Sequence, residues 1–510
     1  MLAVACGLVV VASHVRVAFT GALTVDAPRL GGSRAALVAA LFWAGLGLGA
    51  CAAARVVRRA RGWDLRPRET LRLGVALFVG SSLSLPLLSN DVFSYLAFGD
   101  VVLRGVNPYV TPGSVARSAF AASVTPMVGG LLDGGHVTAP AAAADRCQYG
   151  PVGLLVAATS VALGRSLLGS LLVHKALALA VGLAALALAA RWVEEGEPDP
   201  PPPHNGLALF ALAPVVWIYG AGGAHFDLHG AALLLALLLL VRRRRYALAA
   251  VALALGLLIK VTFLMFLPLV ALHGAITAGG RARVAVRRTA AVLGVVALVS
   301  GLAYAPVWAG PRTVLDPLGT IADKPPSTSH VEVLTDVAYL GGLTLRGESP
   351  PRGFDAQRAA KRPIQRALAA LLSLFGALLA AWQLVELRRI RDPEELEQLF
   401  GRITVVAFCF FSAAFHPWYF LLTLPLFLRT RAAGWVSWLL LVPSLSASFE
   451  ILQVIERDDP LIAVTAALIG LSVASFWYRF WPHLVLEPLR GSTPAVGPRS
   501  RAAVAGPRPP

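Results

Sequence analysis

The chain has 510 residues, of which 57% are hydrophobic and only 14% are charged, and its formal net charge is +17. A soluble globular protein carries about a quarter charged residues, so the composition excludes that class and indicates a polytopic integral membrane protein. The positive charge would suit a nucleic-acid partner, but the arginines stand in short clusters between apolar runs, which is typical of residues that set membrane topology. We therefore expect membrane lipids around the chain and no nucleic acid as a partner.

The apolar runs predict an all-α fold, because they are rich in leucine and alanine and because segments that span a membrane must satisfy their own backbone hydrogen bonds. The predicted helices cover 2–20, 34–54, 71–89, 170–191, 207–221, 229–241, 247–260, 261–276, 289–309, 363–385, 401–415, 418–428, 432–452 and 461–481. Together they predict about 12 to 14 transmembrane helices. No basic segment precedes the first run, so we expect a membrane helix there and not a cleaved signal peptide.

Basic clusters predict the orientation of these helices. They lie at 54–72, 242–245, 281–288, 388–392 and 429–431. Positively charged loops stay in the cytoplasm, which places the N-terminus inside. The segments predicted outside are then 90–149, 223–228, 311–362 and 415–419.

The stretch 150–165 conflicts with this orientation, since counting it as a full span leaves an even number of crossings where an odd number is needed. Either it forms a helix at or dipping into the membrane interface, which we favour, or the charge rule fails locally. Several runs are also short: 229–241 would rise only about 20 Å, which is less than the hydrocarbon core of about 30 Å. Short or broken helices are tolerated where they line a cavity enclosed by protein.

The predicted organisation is one membrane body with two sizeable external loops, which at this length usually carry function or are disordered. Its parts are N-terminal transmembrane helices 1–89, a first external loop 90–149, a transmembrane core 150–310, a second external loop 311–362, C-terminal transmembrane helices 363–487 and a disordered cytoplasmic tail 488–510.

Polar side chains gather at the outer ends of the predicted helices, from five separate segments. They are Asp91, Tyr95, Asp100, Arg104, Asn107, Tyr109, Tyr149, His225, Asp227, His229, Lys260, His416, Trp418 and Tyr419. A single tyrosine or tryptophan there is typical of the interfacial belt, and a single histidine is typical of a satisfied polar group. Ionisable groups at membrane depth are costly and usually face a cavity, so the convergence of five segments indicates a common site.

Asp91 is the most specific candidate, because it follows an apolar run and precedes an amphipathic segment, 92–104. It fits a helix-capping aspartate and a catalytic carboxylate, and the two roles are compatible. Asp100 is expected to be a solvated partner of Arg104 at i+4. Pro108 disfavours helical geometry at the residue before it, so the loop helix is expected to end near 107–109.

Several signatures of other chemistry are missing from the sequence. It has no glycine-rich phosphate-binding loop, no dinucleotide fingerprint, no nucleophile elbow and no zinc-protease motif, which disfavours a nucleotide-dependent enzyme with a soluble domain. The four cysteines, Cys6, Cys51, Cys147 and Cys409, show neither metal-ligand spacing nor a disulfide framework.

Five short motifs resemble, in order, those of the GT-C membrane glycosyltransferases, and most nearly the bacterial polyprenol-phosphate-mannose-dependent α-1,6-mannosyltransferases. They are "NDVFSYLAFGDVVLRGVNPY" (90–109), "YGPVGLL" (149–155), "GGAHFDLHGAALLLALLL" (222–239), "GLLIKVTFLMFLPLV" (256–270) and "FHPWYFLLTLPL" (415–426). In the third motif Phe226 stands where the related pattern has an asparagine.

The resemblance implies a GT-C-like fold and an external active site on the bacterial inner membrane. It further implies transfer of a hexose, most often mannose, from a polyprenyl-phosphate-linked donor to a hydroxyl of a glycan or glycolipid acceptor, with inversion and with Asp91 as general base. Arg104, Lys260, His416, His225 and Asp227 would bind the donor phosphate or sugar. The side chains expected to contact substrate are Tyr95, Asn107, Tyr109, Tyr149, Trp418 and Tyr419. No cofactor is required, and a divalent metal is optional.

Two other classes of function remain open at this point. A transporter or flippase of lipid-linked sugars would share the many helices and the polar groups at membrane depth, but it should show paired discontinuous helices in two related halves. A non-catalytic membrane subunit would tolerate replacement of Asp91. Glucosyl, arabinosyl and aminosugar donors also stay open beside mannose.

Overall fold

A computed structural model of the chain is nearly all helical, which confirms the predicted class of all-α polytopic membrane protein. It describes residues 1–21, 30–58, 67–87, 89, 91–120, 146–195, 206–279, 281–322, 335, 338–339, 341–343, 345–348, 354–390, 392–408, 416–429, 478 and 481–482. Within these ranges the chain forms no regular strand, and Tyr149 and Lys260 share an isolated antiparallel bridge. The predicted helices 432–452 and 461–481 and the predicted tail lie almost wholly outside the described residues.

The α-helices are numbered here in chain order. They are α1 (Leu2–Thr20), α2 (Gly32–Arg58), α3 (Pro67–Ser82), α4 (Asp91–Leu103), α5 (Pro151–Gly164), α6 (Leu167–Glu194), α7 (Gly206–Ala211), α8 (Phe226–Arg242), α9 (Tyr246–Leu257), α10 (Leu267–Ile276), α11 (Ala282–Tyr304), α12 (Arg312–Ala322), α13 (Phe354–Glu386), α14 (Pro393–Val406) and α15 (Phe420–Thr423). Short 3-10 segments cover Ser114–Arg117, Val261–Phe266, Ala305–Val307, Pro417–Tyr419 and Leu424–Phe427, and a π-helical segment covers Val216–Gly222.

Five of the described helices are long and apolar enough to cross a membrane. They are Leu2–Thr20, Gly32–Val57, Leu167–Glu194, Ala282–Val307 and Ala359–Glu386. The pair Val216–Gly222 and Phe226–Arg242 would make a sixth span, but its two parts are bent by 110°. The described residues thus contain fewer full spans than the predicted 12 to 14 helices, partly because several predicted helices are short or interrupted.

Prolines account for most of these interruptions. The predicted helix 207–221 is wrong as a continuous element, because α7 ends at Ala211 and Pro214 precedes the π-helical segment. Proline lacks a backbone N–H and disfavours helical geometry at the residue before it. For the same reason α3 ends at Ser82 and not at 89, with Pro86 in the non-helical chain that follows. The backbone N–H of Leu85 there donates to Oγ of Ser13 in α1 at 3.0 Å.

Two further helix ends differ from the prediction. The loop helix α4 ends at Leu103, before the predicted 107–109, because Gly105 takes a left-handed conformation (φ 74°) that stops a helix. Helix α14 begins at Pro393 and not at 401, because the Asp392 side chain caps it by accepting the Glu394 N–H at 2.8 Å. The first turns of α14 are charged, so a prediction based on apolar runs places the start of the helix too late.

The stretch 150–165 forms α5, whose 14 residues pack between α4 and α6. At 1.5 Å per residue it rises about 21 Å, less than the hydrocarbon core. That α5 does not cross the membrane stays a prediction.

The close contact between α4 and α5 depends on Gly99. A Cβ atom added at Gly99 would lie 2.6 Å from the carbonyl carbon of Ala157 and 2.7 Å from the backbone nitrogen of Ala158. We expect Gly99→Ala to force the two helices apart and to lower the free energy of unfolding by about 1–3 kcal/mol, measured as a lower midpoint of thermal unfolding. Gly47→Ala is the matched control, because Gly47 also lies inside a helix and has open space around its Cβ position. Equal midpoints for the two variants would contradict the expectation.

Candidate active site

Asp91 lies at the start of α4, as the sequence predicts. It is the first residue of that helix, and its backbone N–H donates to Oγ of Ser89 at 3.1 Å. A carboxylate in the first turn is stabilised by the helix macrodipole. The Asp91 side chain stays 27% exposed, so it is accessible to a substrate.

A sharp bend before α8 delivers His225 to Asp91. The π-helical segment ends at Gly222 and α8 begins at Phe226. The chain direction changes by 110° between the two. His225 lies at this bend, buried to 1% exposure, with Nδ1 3.5 Å from Oδ2 of Asp91. This distance is at the outer limit of a hydrogen bond, and the two groups form an ion pair whenever the ring is protonated.

An aromatic stack joins the bend to the segment at 416–419. The Trp418 ring lies 4.2 Å from the His225 ring at 25° and 4.1 Å from the His416 ring at 5°. Trp418 itself is only 3% exposed. The stack therefore fixes the two histidine rings and leaves little of the indole surface for a ligand.

A buried ion pair forms the other side of the site. Nζ of Lys260 lies 2.9 and 3.0 Å from the two carboxylate oxygens of Asp227, which is 1% exposed. The same ammonium group sits over the Tyr419 ring, 4.5 Å from its centroid, a favourable cation–π distance. Lys260 is partly accessible, with 20% of its side chain exposed.

The backbone of Lys260 is held by the segment that precedes α5. Beside the bridge between Tyr149 and Lys260, the N–H of Gly150 donates to the carbonyl of Ile259 at 3.1 Å. A Cβ at Gly150 would lie 2.2 Å from the carbonyl oxygen of Leu258, so only glycine permits this approach.

The electrostatic environment of Asp91 is positive. Burial by itself would raise the pKa of the Asp91 carboxyl, but the interaction with His225 and the charges of His416 and Lys260 outweigh it and lower that pKa to about 2. The carboxylate is therefore ionised throughout the neutral range, with side chains from three other segments around it.

Aromatic rings pack beneath these groups. Tyr95 on α4 stacks on Phe226 with 4.1 Å between ring centroids and meets Tyr149 edge-on at 4.8 Å. The Phe226 ring, which also lies 5.6 Å from the Tyr149 ring, thus fills a layer between α4 and α8. Tyr95 is only 2% exposed, so its predicted contact with substrate is restricted to the little surface that it leaves free.

Asn107 and Tyr109 lie in the supporting loop behind this layer. Nδ2 of Asn107 donates to the carbonyl of Val307 at 2.7 Å, and its Oδ1 accepts the Tyr109 N–H at 3.0 Å. The Tyr109 hydroxyl donates to the carbonyl of Tyr149 at 2.9 Å. The described contacts of these two residues thus join the segment after α4 to the 3-10 segment Ala305–Val307 and to the Tyr149 segment.

Arg104 lies away from Asp91, just past the other end of α4. Thirteen positions along a helix correspond to about 20 Å. Its Nε donates to Oδ2 of Asp100 at 2.8 Å, as the i+4 spacing predicts. The expectation of a solvated Asp100 is wrong, because the same oxygen also accepts the Ser118 hydroxyl at 3.1 Å and the Ala119 N–H at 2.7 Å, and Asp100 is 7% exposed.

Sequence reasoning missed two buried polar residues near the bend and gave no specific role to a third, His229, which it counted among the converging polar side chains. His174 and Lys175 on α6 contact the carbonyls of Ala224 and Gly222, and His229 lies one turn after His225 against Phe226. Adjacent polar residues inside an otherwise apolar helix of 28 residues are the signal that would have identified the first two. Among the described residues no group of three histidine, cysteine, aspartate or glutamate side chains is arranged to hold a metal ion.

Comparison with known proteins identifies the family. Residues 1–276 match the family model described as alpha-(1→6)-mannopyranosyltransferase, N-terminal domain. The match includes Asp91, His225, Asp227 and Lys260, and it ends before the segment at 416–419. No curated protein matches the chain at a significant level. Since the matched region is more than half of the 510 residues, the chain belongs to the alpha-(1→6)-mannopyranosyltransferase family and is a membrane-embedded glycosyltransferase that transfers mannose.

Proposed function

We propose that the enzyme transfers a mannosyl group from a polyprenyl-phosphate-linked donor to a hydroxyl of a glycan or glycolipid acceptor, with inversion at the anomeric carbon. Asp91 is the general base, Lys260 and His416 receive the donor phosphate, and the buried His225 orients the Asp91 carboxylate. The reaction takes place on the external face of the bacterial inner membrane, a location that the distribution of arginines in the sequence favours for the α4 loop. No cofactor is required.

The observation that carries this proposal is the difference between the two carboxylates. Lys260 binds both oxygens of Asp227, which is 1% exposed, whereas Asp91 is 27% exposed and ionised. Asp91 is thus accessible to an incoming hydroxyl. The partly exposed ammonium group of Lys260 offers a positive charge beside it, as a phosphate leaving group needs.

The chemistry follows from this arrangement. The acceptor oxygen forms a bond to the anomeric carbon while the bond from that carbon to the phosphate oxygen breaks, and the electron pair stays on the phosphate. The proton of the acceptor hydroxyl passes to a carboxylate oxygen of Asp91. Lys260 and His416 stabilise the negative charge that develops on the phosphate, an effect that is largest in a water-poor site. A single displacement from the opposite face inverts the anomeric centre.

Several of the expected binding residues have modified roles in this proposal, and Asp227 among them is the buried counterion of Lys260. Arg104 is left out, because it lies at the far end of α4 and pairs with Asp100. Trp418 orients the two histidines that it stacks against, since it is nearly buried. The more accessible Tyr149 and Tyr419 are left to contact the sugar.

The test uses the full chain in lipid nanodiscs, with polyprenyl-phospho-mannose or a nucleotide-linked mannose as donor and a mannoside as acceptor. We expect transfer from the lipid donor alone, at an unchanged rate after a chelator has removed divalent metal. Transfer from the nucleotide sugar alone would refute the proposed donor.

The bend before α8 is also a discontinuous helix of the kind that transporters use. Movement of the lipid-linked sugar across proteoliposomes without any transfer would therefore support a flippase instead.

A further inference from the structure

The bend between the π-helical segment and α8 contains an unfavourable backbone conformation. Ala224 has a φ of +53°, a region that residues with a Cβ atom rarely adopt. Its own carbonyl and that of Gly222 lie where the helical hydrogen-bond pattern is interrupted, so both need partners from elsewhere. The next residue is His225, so the Ala224 peptide determines where that ring lies.

Two neighbouring side chains on α6 supply those partners. Nζ of Lys175 donates to the carbonyl of Gly222. Nε2 of His174 lies 3.3 Å from the carbonyl of Ala224, and its Nδ1 lies 3.1 Å from the Ser160 hydroxyl of α5. In the tautomer with the proton on Nε2, His174 donates to the carbonyl of Ala224. The single proton of the Ser160 hydroxyl is then shared between Nδ1 of His174 and the carbonyl of Val156, which lies 2.8 Å from Oγ.

Burial of these two polar side chains costs free energy, and an apolar side chain could fill the same space without that cost. His174 is 0% and Lys175 4% exposed, in a helix that is a candidate membrane span. An ammonium group at such a place is expensive and usually serves function. The two donors meet the carbonyls on either side of Gly223 and so hold the bend from both sides.

We infer that His174 and Lys175 are positioning residues for sugar transfer, acting through the Gly222–Ala224 backbone to hold His225 against Asp91 and Asp227 against Lys260. The inference rests on the proposed function, because it assigns the two residues to the site in which Asp91 is the base. They touch neither substrate nor the reacting atoms and act only through this backbone.

The experiment compares four single variants of the full chain in nanodiscs. His174→Leu and Lys175→Met remove one donor each, and His174→Gln keeps an N–H that can reach the Ala224 carbonyl. Leu186→Ala is the matched control, because Leu186 is a buried residue of the same helix with no polar role. We expect His174→Leu and Lys175→Met to lower kcat about 10- to 100-fold, since small misplacements of catalytic groups have effects of this size. The KM for the donor should stay nearly constant, and His174→Gln and Leu186→Ala should keep most of the kcat.

Two further measurements separate positioning from general stability. Hydrogen–deuterium exchange should be faster in His174→Leu and Lys175→Met at the amides of Gly223 and His225, which donate to Ile218 and Tyr219 at 2.7 and 3.2 Å. In the background of His225→Ala, His174→Leu should lower kcat by a smaller factor than it does alone, because residues that act through one another are not additive.

Different results would contradict the inference and the proposed function. Unchanged exchange at the bend, or faster exchange with unchanged kcat, would overturn the inference. So would a loss in the double variant equal to the product of the two single losses. If the wild-type protein shows no transfer from the lipid donor, the proposed function fails, and the exchange measurement still decides whether the two residues hold the bend.

Discussion

Replacing Asp91 with asparagine is expected to lower kcat by about 10²- to 10⁴-fold, the range that a positioned general base contributes. The amide keeps the size of the side chain and its place at the start of α4 but cannot accept the proton of the acceptor hydroxyl. Because the charge and not the binding surface is removed, the KM for the donor should change little. The measurement is the initial rate of mannosyl transfer from polyprenyl-phospho-mannose over a range of donor concentrations.

The matched control for this prediction lies on the same helix. Asp100 accepts hydrogen bonds from Arg104, Ser118 and Ala119, so Asp100→Asn should lower the midpoint of thermal unfolding and leave the kcat of the folded enzyme almost unchanged. Asp91→Asn should show the opposite pattern. Near wild-type transfer by Asp91→Asn would eliminate Asp91 as the base.

Replacing Lys260 with methionine is expected to have the second largest effect, with a loss in kcat/KM of about 10²- to 10³-fold, similar to the loss of one electrostatic contact to a transition-state anion. The variant also leaves Asp227 buried without its cation. Breaking a buried pair in this way typically costs about 3–5 kcal/mol of stability, so the unfolding midpoint should fall as well.

A double variant separates these two effects. In Lys260→Met with Asp227→Asn the uncompensated carboxylate is gone, and the unfolding midpoint should return towards that of the wild type. Transfer should stay low, because the phosphate still lacks its positive charge. Recovery of both stability and transfer would show that Lys260 serves only to neutralise Asp227.

The class of fold and much of the candidate site could be predicted from local sequence. The ends of Leu2–Thr20 agree with the predicted 2–20, because a largely apolar run has only one way to satisfy its backbone in a bilayer. The position of Asp91 at the helix start and the pairing of Asp100 with Arg104 could also be predicted, because both follow from spacing along a single helix. Their contacts with the rest of the chain depend on tertiary structure, and there the prediction of a solvated Asp100 failed.

What sequence reasoning could not supply is the set of contacts between distant segments. Lys260 is separated from Asp227 by 33 positions, and nothing in either motif says that the two pair. The bend at Gly222–Ala224 was also missed, because its geometry depends on donors from α6. A pattern of apolar residues identifies the runs on either side of such a break but not the angle between them.

The first turn of α8 restricts which insertions, deletions and substitutions this segment can accept. Residues two positions apart on a helix project about 200° apart, which is why His225 and Asp227 reach different partners from one turn. A rotation of α8 about its axis would separate His225 from Asp91 and Asp227 from Lys260 at the same time. Insertion or deletion of a single residue there would disconnect the base from its histidine and the cation from its carboxylate together. Position 226 is under a different constraint: its ring packs on Tyr95, so its identity can change with the aromatic layer while the two charged contacts remain.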